Sequence, residues 1–170
     1  MRVLTTLAAL AAFAFAQTAA AATVTLAPVS FSPEFQELLE DDLGTREGHY
    51  LQQRVEAAVT RALQRAGAQV GPGGDLTVEI AIVSAEPNRP TLQQLSDRPG
   101  LDMIRSVSVG GAELRATIRR ANGEEIAQVQ HRYYSPSLAY VGFPAGQWTD
   151  AHRAITRFAN KVALAYQNQG

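Results

Sequence analysis

Apolar and polar residues alternate from Leu76 to Val83, with Leu76, Val78, Ile80 and Ile82 on one parity. Successive side chains on a strand point to opposite faces, so this run predicts a strand with one buried face. Thr23 to Phe31 also alternates and is rich in β-branched residues, predicting a first strand, edged or bent at Pro28. Between the two the period changes. Ser32-Pro33-Glu34 supplies a capping hydroxyl, a proline for the first turn and an acid, which together predict a helix start. That short helix buries Phe35, Leu38 and Leu39 and stops near Glu40-Asp41-Asp42. Residues 43–48 read as a connector. A longer helix over 50–66 places Leu51, Val55, Val59, Ala62, Leu63 and Ala66 on one face and ends at Gly67. Gly71 to Asp75 reads as a turn.

Beyond Val83, Pro87, Pro90 and Pro99 punctuate a long loop, with one helical turn at residues 91–95. Alternation resumes at Val107 and Val109, breaks at Gly110-Gly111, and continues at Ala112, Leu114, Ala116 and Ile118. The parity changes across the glycines. A β-bulge at the pair would restore it, and so would a two-residue hairpin turn. A phosphate-cradling loop is disfavoured, because the glycines lead into a strand and not into a helix. Asn122-Gly123 predicts a two-residue hairpin of type I′. That register sets Ala116 opposite Val129, Ile118 opposite Ala127 and Leu114 opposite His131. It also predicts a cross-strand ion pair between Glu113 and Arg132. The last helix covers 149–167, capped by Thr149 with Asp150 at its positive end. Trp148, Ala151, Ile155, Phe158, Ala159, Val162 and Tyr166 form its apolar stripe. Arg153, Arg157 and Lys161 lie on another face that reads as solvated.

The elements run β-α-β-β-β-α. The expected fold is α+β: a small mixed, mostly antiparallel sheet with two main helices packed on one face. The first strand–helix–strand unit should cross right-handed and run parallel.

The N-terminus changes the picture of where the protein works. Arg2, the apolar run from Val3 to Ala16, and Ala20-Ala21-Ala22 form a signal-peptide pattern with cleavage after Ala22. The expected organisation is therefore a signal peptide at 1–22 and a single domain at 23–170. The run is short for a membrane anchor, which needs roughly 20 predominantly apolar residues. No stable membrane span is expected after cleavage, and the mature protein would be periplasmic or secreted. The chain holds 15 Lys and Arg against 16 Asp and Glu. That balance gives no reason to expect nucleic acid as a partner. It has no cysteine, so packing must stabilise it without disulfides, and a lipidated N-terminal cysteine is not available.

Candidate chemistry is sparse. His49, His131 and His152 lack metal-ligand spacing, no nucleophile elbow is present, and no metal or cofactor is expected. Glu40-Asp41-Asp42 and Glu124-Glu125 read as solvated acids. Two segments stand out. The 86–105 loop carries Arg89, Arg98 and Arg105 with Asp97 and Asp102, which could brace one another or grip an anionic partner. Tyr133, Tyr134, Tyr140, Phe143 and Trp148 crowd a sixteen-residue stretch, and Tyr and Trp are enriched at interfaces. The binding candidates are thus Arg89, Arg98, Arg105, Tyr133, Tyr134, Tyr140 and Phe143. The aromatics could equally close the open end of the core.

Gly110-Gly111-Ala112, Asn122-Gly123 and the helix start Trp148-Thr149-Asp150-Ala151 give the chain a resemblance to a group of small exported bacterial α+β proteins of unknown function. Many of those are lipoproteins, and this chain departs from them in lacking the lipidated cysteine. The resemblance implies no catalytic residues. The sequence is read as that of an exported, non-enzymatic protein that binds a protein or cell-envelope component. Two alternatives stay open. One is a hydrolase-type enzyme with a site near His131 and the 86–105 loop. The other is a homo-oligomeric structural protein.

Overall fold

The computed structural model describes residues 22–141 and 145–169. Phe143 and all of the expected leader except Ala22 lie outside them. The fold is α+β, an open mixed sheet of six strands with two main helices packed on it. The strands are β1 (Thr23–Leu26), β2 (Ser30–Phe31), β3 (Gln69–Val70), β4 (Leu76–Glu86), β5 (Gly111–Arg120) and β6 (Glu125–Tyr134). Along the sheet they run β3-β1-β4-β5-β6, and β2 also pairs with β4. As expected, β1 is parallel to β4, while β5 is antiparallel to both β4 and β6. Pro28 separates β1 from β2, so the first predicted strand is two short ones.

Ser32 caps the first helix, α1 (Pro33–Leu38). Its hydroxyl accepts from the Phe35 N–H at 3.2 Å and donates to the Val83 carbonyl at 2.9 Å. The chain does not stop at the acidic run. It widens into a π-helical turn, Leu39–Leu43, which buries Leu39 and Leu43. Gly44 then turns the backbone at φ 94°, and α2 (Thr45–Arg65) begins at once. The predicted connector is therefore helix, and α2 starts about a turn and a half earlier than its apolar stripe suggests. The reason is that glycine, free of a Cβ clash at positive φ, makes the break without a capping side chain. Leu51, Val55, Val59, Ala62 and Leu63 face the core. The helix ends before Gly67, also at positive φ.

A small helix, α3 (Leu92–Asp97), crosses the long loop. It is held by a reciprocal capping box between Thr91 and Gln94. The last helix, α4 (Thr149–Gln167), lies over β5 and β6 and against α2. Thr149 is its first residue, not its cap. The Thr149 hydroxyl accepts from the Gly146 N–H at 2.8 Å, bracing the approach to the helix.

The hairpin register is as predicted: Ala116 faces Val129, Ile118 faces Ala127 and Leu114 faces His131. Three local features differ. Asn122 does not adopt positive φ, so the turn is not type I′. Gly123 takes positive φ alone, its N–H bonds to the Arg120 carbonyl at 2.8 Å, and the register slips between Ile118 and Arg119. This is the three-residue alternative, a tight turn followed by a glycine bulge. Glu113 does face Arg132 but makes no ion pair with it. Its carboxylate takes Arg115 at 3.2 Å and the Gln130 amide at 2.8 Å, while Arg132 lies over the Tyr134 ring.

The third difference is the glycine pair, which is neither bulge nor hairpin. Residues 105–110 form no strand, and β5 begins at Gly111. The parity change belongs to β4 instead. There Val83 is an extra residue between Ile82, paired with Leu114, and Ser84, paired with Glu113. Burial accordingly shifts from Val78, Ile80 and Ile82 to Ala85. The glycines serve close approach. A Cβ on Gly111 would stand 2.6 Å from the Tyr134 Cα and collide with the Tyr133 carbonyl oxygen. One on Gly110 would stand 2.8 Å from the Asn88 amide group.

Candidate functional site

Asn88 organises one end of the fold. It follows β4 and is completely buried. Its side-chain oxygen accepts from the Asp150 N–H at 2.9 Å. Its amide donates to the Asp150 carboxylate at 2.6 Å and to the Ser108 carbonyl at 3.2 Å. Its own N–H bonds to the Gln147 carbonyl at 2.7 Å. Asp150, also fully buried, accepts further from Arg153 at 2.7 Å and from the Gly110 N–H at 3.4 Å. A buried carboxylate is tolerated when its lone pairs are met in this way. The cluster ties the exit of β4, the approach to β5 and the start of α4 together.

The two loops standing on this base are the segments singled out in the sequence. Arg89 is a brace. Its guanidinium donates to the carbonyls of Ala145 at 2.6 Å, Met103 at 3.1 Å and Ile104. Arg98 pairs with Asp42, which also accepts from the Gln94 amide at 2.7 Å, so an acid read as solvated anchors α3. Arg105 is exposed. Its N–H and that of Ile104 each donate to the Asp102 carboxylate at 2.7 Å, and these bonds hold that carboxyl below its ordinary range. A cavity of about 420 Å³ opens along the loop. Pro87, Pro90, Leu101, Val107 and Val109 supply its apolar lining, and Glu86, Arg89 and Arg98 its charge.

The tyrosines do not form one surface. Tyr133 and Tyr134 are neighbours on β6 and so face opposite ways. Tyr133 turns toward α4, where Arg157 stacks over its ring at 4.5 Å. The Tyr134 hydroxyl meets the Ser84 hydroxyl at 2.6 Å, and burial raises its pKa. Tyr140 is open to solvent, and its carbonyl accepts from Arg153 at 3.0 Å. Five of the eight exposed large apolar side chains among the described residues lie on these two loops: Leu92, Met103, Ile104, Leu138 and Tyr140. Ile104 is 74% exposed.

His131 lies elsewhere. It is on the helix-facing side of β6, with Lys161 and Arg157 of α4 nearby, and is not part of the loop cavity. Burial and those two cations lower its pKa, and its buried Nε2 has no hydrogen-bond partner. No carboxylate orients it among the described residues.

The pair that builds this end of the molecule left little trace in the sequence. Asp150 carries a helix-dipole signal that conceals its burial, and Asn88 carries none. The glycine pair is the visible sign, since Gly110 leaves room for Asn88.

Residues 6–162 match the family described as protein of unknown function (DUF3313). The chain belongs to that family. No curated protein matches it. Among solved structures, this DUF3313 protein is similar to a PelC dodecamer from Paraburkholderia phytofirmans at 10% identity and a TM-score of 0.49, over 86% of this chain and 87% of that one. A hypothetical protein from Chlamydia trachomatis is 12% identical with a TM-score of 0.49, over 88% and 97%. A lipoprotein from Neisseria meningitidis is 13% identical with a TM-score of 0.45, over 87% and 96%. Among the described residues of the DUF3313 protein, no helix is long and apolar enough to cross a membrane.

Proposed function

We propose that this chain is an exported, non-catalytic binding module whose loop-bearing end docks a protein partner in the cell envelope. One observation carries the reading: exposed apolar side chains are gathered on two loops whose bases are tied by the buried Asn88–Asp150 cluster and which Arg89 braces. Met103 and Ile104 project while Arg89 holds their carbonyls. Loops held in one conformation lose less entropy on binding than free ones. Arg98 and Arg105 add charge beside the apolar positions, and Arg is favoured with aromatic residues at interfaces. The isolation of His131 from the loop cavity argues against the hydrolase reading.

Export rests on the leader pattern at 1–22, with Thr23, the first residue of β1, as the mature start. The mass of the protein purified from cells tests this directly, since cleavage removes Met1 to Ala22.

The docking face is tested with a photo-crosslinking residue at Ile104, at Tyr140, and at Leu164 on α4 as a control. A single adduct of defined mass from both loop positions, absent from Leu164 and lost on Met103→Ser, is the expected result. An adduct at twice the chain mass would replace the partner with a second copy of this chain. No adduct from either loop position would overturn the reading.

A further inference from the structure

A second pocket lies at the opening turns of α2 and α4. It has a volume of about 340 Å³, within the range of small-molecule sites. Glu47, Tyr50, Trp148, His152 and Arg46 line it. Glu47 is 7% exposed, and its Oε2 accepts from the Trp148 indole N–H at 2.8 Å. Its Oε1 accepts no hydrogen bond from the described residues and is not sealed from solvent. Neither oxygen has a cationic partner within ion-pair distance among those residues. A nearly buried carboxylate with one oxygen open to a pocket is met there by water or by a ligand's donor group.

The neighbours define what that would be. The Tyr50 hydroxyl lies 2.9 Å from His152 Nε2. Burial, and then Arg54, lower the His152 pKa, which favours the neutral ring. With the ring proton on Nδ1, Tyr50 donates to Nε2 and its oxygen becomes a second acceptor. Two acceptors with indole and phenol rings alongside suit a primary ammonium group. They do not suit a metal ion: one carboxylate is too few ligands, His152 Nε2 is engaged, and Arg46 carries positive charge into the same pocket. Arg46 and the positive ends of the two helices instead favour an anionic group on the same ligand.

We propose that this pocket binds a small zwitterion, its primary ammonium on Glu47 and Tyr50 and its anionic group toward Arg46. The inference does not rest on the docking proposal, although Trp148 closes one of the two loop segments.

Trp148 is the sole tryptophan of the chain, so its indole N–H resonance reports on Glu47 without ambiguity. The probe is O-phosphoethanolamine, with its N-acetylated form and inorganic phosphate as controls. The wild-type protein should show a saturable shift of the indole resonance with the amine, and roughly ten-fold or weaker binding of both controls. Glu47→Gln keeps an acceptor for the indole and should weaken the amine by the same factor, and Tyr50→Phe by less. Vesicles bearing phosphoethanolamine headgroups separate the sources. A response to vesicles but not to the soluble probe assigns a lipid headgroup, and the reverse assigns a free small molecule. No saturable shift from either source, or equal binding of the N-acetylated form, would overturn the proposal. That last comparison uses wild-type protein alone and decides the matter even if Glu47→Gln does not fold.

Discussion

Asp150 and Glu47 are both acids in the first turn of a long helix, and both are buried. Their surroundings are opposite. The Asp150 carboxylate receives the Asn88 amide, the Gly110 N–H and the Arg153 guanidinium, all from its own chain. Its backbone N–H in turn donates to Asn88, so the two side chains are locked reciprocally. Glu47 receives one indole N–H and turns its other oxygen to a pocket. A satisfied buried charge fixes a conformation, whereas one with an oxygen open to a pocket can still accept from a ligand. Removing the two should therefore have very different consequences for the fold.

The largest loss is expected at Asp150. Asp150→Ala takes an acceptor from the buried Asn88 amide and the Gly110 N–H, while the part-exposed Arg153 can turn to solvent, and should cost about 2–4 kcal/mol. Urea denaturation measures it, and a loss below about 1 kcal/mol would show that the cluster is not what fastens the loops. Gly110→Ala comes next, at about 1–3 kcal/mol. Its new Cβ would press on an amide held by several hydrogen bonds, which cannot swing away freely. Combined with Asn88→Ala, which removes the obstacle, the same change should cost less than the sum of the two alone. Strict additivity in that double-mutant cycle would mean that Gly110 and Asn88 are not in contact.

These expectations rest on contacts that only the folded chain makes visible. The β5–β6 pairing was legible because period-two alternation and Asn-Gly are local signals with one consistent register. Val107 and Val109 misled for the converse reason. Alternation records which side of a segment is apolar, but a strand also needs a partner, and these valines line a cavity. The parity change predicted at Gly110-Gly111, as a bulge or a two-residue turn, arises instead in β4, because Ile82, Val83 and Ser84 fit either parity whereas a glycine pair is itself a local break signal. The start of α2 was obscured by Gly44, a break made by backbone geometry with no side-chain signature. Of the candidate site, the exposed loops were legible from proline and arginine content. The division of Tyr133 from Tyr134 follows from their adjacency on a strand, once β6 is known to continue to residue 134. Glu47 fell in a stretch read as connector, so neither its burial nor its pairing with Trp148, 101 residues away, left any trace.

A pH series sharpens the contrast from another side, because His152 borders the Glu47 pocket while His131 belongs to neither acid. Burial depresses the pKa of His131, with Lys161 and Arg157 reinforcing it, and burial also depresses that of His152. As pH falls through about 6.5, the unfolded chain takes up protons that the folded chain does not. Stability should thus be full above that point and fall as pH drops toward the folded-state values. His131→Gln should flatten part of this slope and leave the rest to His152. An unchanged slope in His131→Gln would place the titration elsewhere.

The smallest effect is expected at Glu47, and it separates the two acids most cleanly. Glu47→Gln preserves shape and the acceptor for Trp148 and removes a buried charge that no cation offsets. Replacing a charge in that position with a neutral group of the same size removes desolvation cost as well as attraction. Stability should change by less than about 1 kcal/mol in either direction. Glu47→Leu should be worse, since it strands the Trp148 indole N–H in the core. If Glu47→Gln instead cost as much as Asp150→Ala, the Glu47 carboxylate would be a structural anchor like its counterpart, and its open oxygen would need no ligand to account for it.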